Sequence, residues 1–584
     1  MKKFLLGILC GFVFAAVALV IVGFAVARLA GGGEADEPSE GFLQLRLEGA
    51  IAEHPADEIP IPWLNSQMPW TVIEVKQILE RAATDNKIKG LFLEIGGADF
   101  GWGKAAEIRA ALAAFRKSGK PVHAFLRQPN ARDYFLSSAC DRISMVEEDL
   151  LDLKGLRVER TYFKNTLDKL GVEMEILHAG KYKDFGDSFT KTSMSPESRE
   201  SLGAILNGIY GVLVNGIAQG RKRSPAEIEK LMDDGPFLAK AALREKLIDA
   251  LEYDSAARAK LAEKTHVAST AAISAREYRK KIRHQWQRDS DAKVAFLVAE
   301  GDILRGSELG EGVIASRDFI HHVSELKKDP EFKAVLLRID SPGGDAIASD
   351  ELLAALRDLS KVKPLVVSMS DVAASGGYYM AVTGDPIFAY PGTITGSIGV
   401  VYGRPNLKGL YDKIGLTKDG MQKGKNADLD VEYRPLSDTA RRKLREGIDE
   451  SYSTFLSRVA DGRKAKVSDI EPLAQGRAWV ASDPTAKRLT DQIGGIDAAL
   501  QELIKRAKLP AEAKPELIPY PPLENAISKL FTDEEHLLSS LGPTLGLAQP
   551  PWANPIARNL KPALRPALLR GGMLRWMPYQ IDVR

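Results

Sequence analysis

Apolar runs of five or six residues, each bounded by turn-forming residues, alternate along the chain with amphipathic stretches. Gly90–Ile95 (GLFLEI) is such a run, Glu107–Leu112 (EIRAAL) carries one apolar face, and Lys120–Phe125 (KPVHAF) is apolar again. Continuous apolar runs fit strands buried on both faces, and the intervening stretches fit crossover helices, so the pattern predicts an α/β fold with a parallel sheet.

The pattern is written twice. A shift of 244 residues sets Gly90–Ile95 on Ala334–Ile339 (AVLLRI) and Glu107–Leu112 on Glu351–Leu356 (ELLAAL). Lys120–Phe125 falls on Lys363–Ser368 (KPLVVS) at 243, so one residue is gained or lost before that strand. The first strand-like runs, Phe42–Leu47 and Val294–Val298, correspond in order though not at that shift. Self-similarity at a fixed period signals a duplicated unit. The halves are expected at 41–272 and 293–509, joined by a charged helical connector at 273–292 and followed by an extension at 510–584.

At the other end Lys2 and Lys3 precede the uncharged run Phe4–Ala27, which as a helix exceeds the roughly 30 Å hydrocarbon core and is longer than a cleavable signal's apolar region. Residues 1–30 therefore read as an uncleaved single-pass anchor and 31–40 as an acidic, Gly-rich linker. With the lysines cytoplasmic, the rest lies across the membrane. Leu9-Cys10 does not make a lipoprotein site, since Leu9 is too large for its place and the apolar run continues past it.

Composition narrows the classes. With 45% hydrophobic and 27% charged residues over 584 positions, neither wholesale disorder nor a polytopic membrane protein is indicated. A net charge of +2 removes the global electrostatic case for nucleic-acid binding. Cys10 and Cys140 are the only cysteines, and the eight histidines form no HExxH pair, so neither a metal site nor a cofactor is expected. Gly101-Trp-Gly103-Lys104-Ala105 fails as a phosphate loop, because Ala98 stands five before Gly103 and Ala105 cannot ligate magnesium.

Candidate chemistry lies where the copies differ. The second copy holds Ser341-Pro342-Gly343-Gly344 after one strand, and Asp371-Val-Ala-Ala-Ser375-Gly376-Gly377-Tyr378-Tyr379 after the next. Ser375 is expected to open a helix, where free backbone N–H groups suit attack on a carbonyl; a plain helix-capping serine is the other reading. At the 244 shift Ser375 faces Ala131 while Tyr378 and Asp385 face Tyr134 and Asp141, and the nearby slip leaves Asn130 and Arg132 as alternatives to Ala131. Gly343 and Gly344 face Asp99 and Phe100.

A serine nucleophile needs a base, and no histidine occurs between His322 and His536. The first copy contains Gly180-Lys181-Tyr182-Lys183-Asp184, in which Lys183 faces Ala427. One half has the serine without the lysine, the other the lysine without the serine. That reciprocity points to one site built across both halves, with Lys181 as the competing lysine.

SPGGD, DVAASGGYY, TGSIG (Thr395–Gly399) and GKYKD ahead of MSPESRE resemble the signal peptide peptidase A family, also called protease IV, over nearly the whole chain. The resemblance implies a crotonase- or Clp-protease-like fold in each half and a homotetrameric bowl facing the membrane. It implies an enzyme of the bacterial inner membrane, with its catalytic part on the periplasmic side, that cleaves signal peptides left after secretion and other apolar peptides. It makes Ser375 the nucleophile and Lys183 the base, puts the N–H of Gly376 with that of Gly343 or Gly344 in an oxyanion hole, and sets Ser397 near the lysine. A crotonase-type acyl-CoA hydratase or thioesterase and a non-catalytic membrane scaffold are the rival readings. The tail Gln549–Arg584, with six basic residues against Asp582, does not match the family pattern; an interfacial segment, a subunit-packing arm and disorder all stay open.

Overall fold

The computed structural model describes residues 40–55, 68–289, 292–307, 312–521 and 574–576. The expected membrane anchor, almost all of the linker and most of the tail lie outside the described residues.

Each half forms a parallel sheet. In the first, the strands run in the order Ala250–Leu251, Arg142–Met145, Val122–Leu126, Ile88–Ala98, Gly41–Gly49 and Ala272–Ser274. In the second, Gln492–Ile493, Ile387–Ala389, Leu365–Ala374, Phe332–Asp345, Lys293–Leu304 and Glu516–Tyr520 follow the same order. The duplication is thus one of topology as well as of pattern. The tyrosines aligned at the 244 shift also match in contact: Tyr134 OH donates to Leu247 O and Tyr378 OH to Leu489 O. The second sheet takes its edge strand from Glu516–Tyr520, past residue 509; Pro519 lacks a ladder donor and confines that segment to an edge.

The crossover helices form where the sequence caps them. Thr71 and Glu74 make a capping box at the start of Val72–Thr84, and Asp345 accepts the Ile347 and Ala348 N–H groups at the start of Ala346–Ser360. Ala275–Asp289, between the halves, is helical.

The halves share a core. One face of the second sheet, with Val294, Phe296, Leu336 and Val366, joins the cluster that contains Leu112, Leu213 and Ile217 of the first half. The opposite face, with Leu297, Leu337, Ile339 and Val367, packs with Leu352 and Leu356. Strand alternation explains the division, since neighbouring residues point to opposite faces. The first half also lends a strand to the sheet of the second. Glu173–Ala179 of the first pairs antiparallel with Val400–Asn406 of the second, from Glu173 opposite Asn406 to Ala179 opposite Val400. Its Glu175 forms a buried ion pair with Arg404 and accepts the Leu436 N–H. Among the described helices one, Pro196–Arg221, is long and apolar enough to cross a bilayer, with 44% of its most apolar window buried. Its Ile205, Ile209, Leu213 and Ile217 belong to the shared core.

Candidate active site

The strand Glu173–Ala179, paired into the second half's sheet, delivers Lys183 there. After Ala179 the chain turns at Gly180 (φ +99°), Tyr182 N–H donates to Gln475 O at 2.8 Å, and Lys183 N–H donates to Gly180 O at 3.1 Å. Gly476, at φ +76°, lies under Lys183, and a Cβ there would stand 2.5 Å from Lys183 N. Because the segment turns, Lys181 and Lys183 do not share a face. Lys181 is exposed with its ammonium 4.8 Å from the Tyr182 ring centre, whereas Lys183 is fully buried.

Ser375 ends the strand Leu365–Ala374 and immediately precedes the helix Gly376–Ala381. It occupies the cap position, yet its side chain makes no capping hydrogen bond. Its backbone sits at φ +53°, ψ −115°, a region that side-chain-bearing residues rarely adopt, and it is held there by Ser375 N–H to Gly396 O at 2.8 Å and Tyr379 N–H to Ser375 O at 2.8 Å. The hydroxyl instead meets Lys183, with Nζ to Oγ at 2.7 Å. Nζ also contacts Ser397 O at 2.9 Å and Ser397 Oγ at 3.0 Å. Ser397 is likewise at positive φ (+51°), with its N–H on Arg477 O at 2.7 Å. Ser375, Lys183 and Ser397 are all buried.

The glycine turn lies against this group. Gly343 adopts φ +100°, and a Cβ at Gly344 would overlap the Ile303 carbonyl, so both positions exclude a side chain. Gly377 approaches so closely that a Cβ would overlap the Ser341 carbonyl. The Gly376 N–H lies in a first helical turn, where no intrahelical acceptor exists. The Gly343 N–H turns back on Ser341 Oγ at 3.2 Å. The edge beyond the turn is covered by the chain's own tail: Leu574–Trp576 runs antiparallel to Gly343–Asp345, with Gly344 opposite Arg575, and Leu574 also pairs with Val401.

The first copy carries a carboxylate beside the corresponding turn. Asp133 accepts from the N–H groups of Gly97 at 3.0 Å, Ala98 at 3.1 Å and Asn130 at 2.9 Å. Gly97 and Ala98 face Ser341 and Pro342 at the 244 shift, and Asp133 faces Gly377. Burial pushes the Asp133 carboxyl up to about 6, against those N–H donors. The turn of the first copy therefore already holds a carboxylate, and Ala427, opposite Lys183, is exposed. Neither Gly476 nor Asp133 stands out in the sequence. The acid reads as an ordinary first-turn residue, and only its place opposite a glycine of the other copy distinguishes it.

Comparison with known proteins agrees with the duplication. The model of "Peptidase family S49" matches twice, at residues 114–268 and 357–510. A chloroplastic serine protease SPPA of Arabidopsis thaliana is 32% identical over 79% of this chain and 68% of its own length. Protease 4 of Salmonella typhi is 29% identical over 84% of this chain and 82% of its own. Protease 4 of Haemophilus influenzae is 30% identical over 86% of each chain.

Proposed function

The chain belongs to peptidase family S49 and is a serine protease, and from that premise we propose that Ser375 is the nucleophile and Lys183 the general base of a single site. The observation that carries the reading is the buried 2.7 Å contact between Lys183 Nζ and Ser375 Oγ, made across the two repeats.

A neutral amine has two N–H groups and one lone pair. Ser397 O can only accept, and with Ser397 Oγ it takes the two N–H groups. The lone pair then faces Ser375 Oγ. In the reaction Lys183 takes the hydroxyl proton as Oγ attacks the peptide carbonyl, and the N–H of Gly376 with that of Gly343 or Gly344 holds the oxyanion. The ammonium returns the proton to the leaving amine, and Lys183 next activates the water that cleaves the acyl-enzyme. Ser397 positions Nζ.

The substrate is proposed to lie as an extended strand along Gly343–Asp345, where main-chain pairing gives affinity with little demand on sequence. That this edge pairs antiparallel with Leu574–Trp576 supports the arrangement. We assign apolar peptides, signal peptides among them, as substrates at a bacterial inner membrane, with the catalytic part on the periplasmic side. Lys2, Lys3 and the apolar run Phe4–Ala27 support the tether. A crotonase- or Clp-protease-like unit in each repeat and a homotetramer belong to the same proposal.

The test uses the full chain in detergent micelles. A fluorophosphonate probe should label the native protein and not Ser375→Ala, and the native protein alone should cut a synthetic signal peptide. Equal labelling of Ser375→Ala would remove Ser375 from the mechanism.

A further inference from the structure

Gly101-Trp-Gly103-Lys104 holds an anion after all, and the anion belongs to the protein. The N–H groups of Gly101 and Lys104 donate to the Asp371 carboxylate at 2.9 and 2.8 Å. Lys104 Nζ lies 3.2 Å from that carboxylate and 3.7 Å from Glu300, and hydrogen bonds at close range to Asp340. The glycines permit the approach, since a Cβ at Gly101 would overlap the Asp371 carboxylate and one at Gly103 the Ser370 carbonyl. The helix Trp102–Arg116 of the first repeat thus opens on a carboxylate of the second, four residues before Ser375.

The two aspartates stand where both parts of the site leave the sheet. Asp340 precedes the turn Ser341–Gly344, and Asp371 precedes Val372–Ser375. Between them the ladder is irregular: Ile339 pairs with Met369 but Ser341 with Ala373, so the serine strand carries two extra residues. Such a bulge takes backbone groups off the ladder and re-aims the residues beyond it. Here Asp340 Oδ1 takes the Val372 N–H at 3.0 Å, while Asp371 is held by the helix of the other repeat. The bulge that aims Ser375 is therefore pinned by two carboxylates sharing one ammonium.

The cluster is as one-sided as the dyad. At the 244 shift Lys104 faces Ala348 and Asp340 faces Gly96. Burial opposes the charge on Lys104, but Asp340, Asp371, Glu53 and Glu300 outweigh it and raise its pKa well above the usual lysine value. Burial pushes Asp340 up while Lys104 pulls it down. Without the ammonium, the two aspartates would face each other with no shared cation.

We propose that Lys104, with Asp340 and Asp371, is a positioning lock: the first repeat supplies the base and, through Lys104, also sets the register between the Ser375 strand and the glycine turn. Resting on the Ser375–Lys183 reading, the lock acts through the two strands and touches no reacting atom. It holds the nucleophile in line with the oxyanion donors, so its loss appears in turnover and not in peptide binding.

The test compares Lys104→Met and Asp371→Asn with Lys76→Met in the full chain. Lys76 is another buried lysine that bridges the repeats, to Asp497, far in sequence from the dyad. Turnover is expressed per Ser375 titrated to completion with a fluorophosphonate, which removes any loss of folded protein. Lys104→Met and Asp371→Asn are expected to lose about ten- to a hundredfold in kcat with KM within about threefold of native. Lys76→Met is expected to lower Tm with native kcat per site. Native kcat per site in Lys104→Met overturns the lock, as does a loss shared equally by Lys76→Met. If Lys104→Met yields no folded protein, the isosteric Asp371→Asn decides alone by the same criteria. Activity surviving in Ser375→Ala would instead overturn the dyad reading.

Discussion

Gly476→Ala tests how Lys183 is seated. The added methyl would stand 2.5 Å from Lys183 N and 2.6 Å from its Cβ, where ordinary contact begins near 3.4 Å, so the lysine backbone must retreat by about 0.9 Å. Neither atom is the end of a flexible side chain, and rotation cannot relieve the overlap. Misplacing a catalytic group by about 1 Å costs up to about a hundredfold in rate, or about 2.7 kcal/mol of barrier. The φ of +76° adds strain of about 1–2 kcal/mol for a residue with a Cβ. For domains of this size that strain lowers Tm by about 2–8 °C. Gly415→Ala separates the two effects, because Gly415 has φ +73° with nothing within 4 Å of its would-be Cβ. Hydrolysis of a chromogenic peptide ester, corrected for folded protein by circular dichroism, should fall about a hundredfold in Gly476→Ala and stay native in Gly415→Ala. Native turnover in Gly476→Ala would refute the claim that the seat of Lys183 sets the rate.

The double variant Ser375→Ala with Ala131→Ser should stay inactive and unlabelled by a fluorophosphonate, because two of the N–H groups opposite the proposed oxyanion donors are already taken, that of Arg132 by Asn130 Oδ1 and that of Asp99 by Gly49 O, and Ala427 stands in place of the lysine; labelling at residue 131 would show the copies to be equivalent. A mixture of Lys183→Ala and Ser375→Ala chains should recover no activity, since the 2.7 Å contact forms within one chain; recovery on mixing would place the dyad between subunits. Removal of residues 573–584 should lower KM for a short peptide with kcat unchanged, since Leu574–Trp576 covers the proposed substrate edge; an unchanged KM would move the substrate elsewhere.

The strands were legible because a strand buried on both faces needs unbroken apolar residues, and Gly90–Ile95 and Ala334–Ile339 both supply them. The duplication made Ser375 and Lys183 visible by difference, which periodicity would not have done. Alternation would let Lys181 share a face with Lys183; the turn at Gly180 is what separates them. The pairing of Glu173–Ala179 with Val400–Asn406 joins segments more than two hundred residues apart, and nothing local in either announces the partner. Glu516–Tyr520 is concealed by its proline, which an edge tolerates. Gly476 carries no motif because its role is to leave room for another residue's backbone.

The most direct test of one site shared between two copies is turnover of Lys183→Arg beside native protein and Lys183→Ala. Arginine keeps the charge and much of the length but cannot accept the serine proton near neutral pH. Lys183→Arg is expected to be as inactive as Lys183→Ala, with both chains folded and Lys181→Ala close to native. Near-native turnover in Lys183→Arg would contradict the account, because the buried cation could then be holding structure but could not be the base.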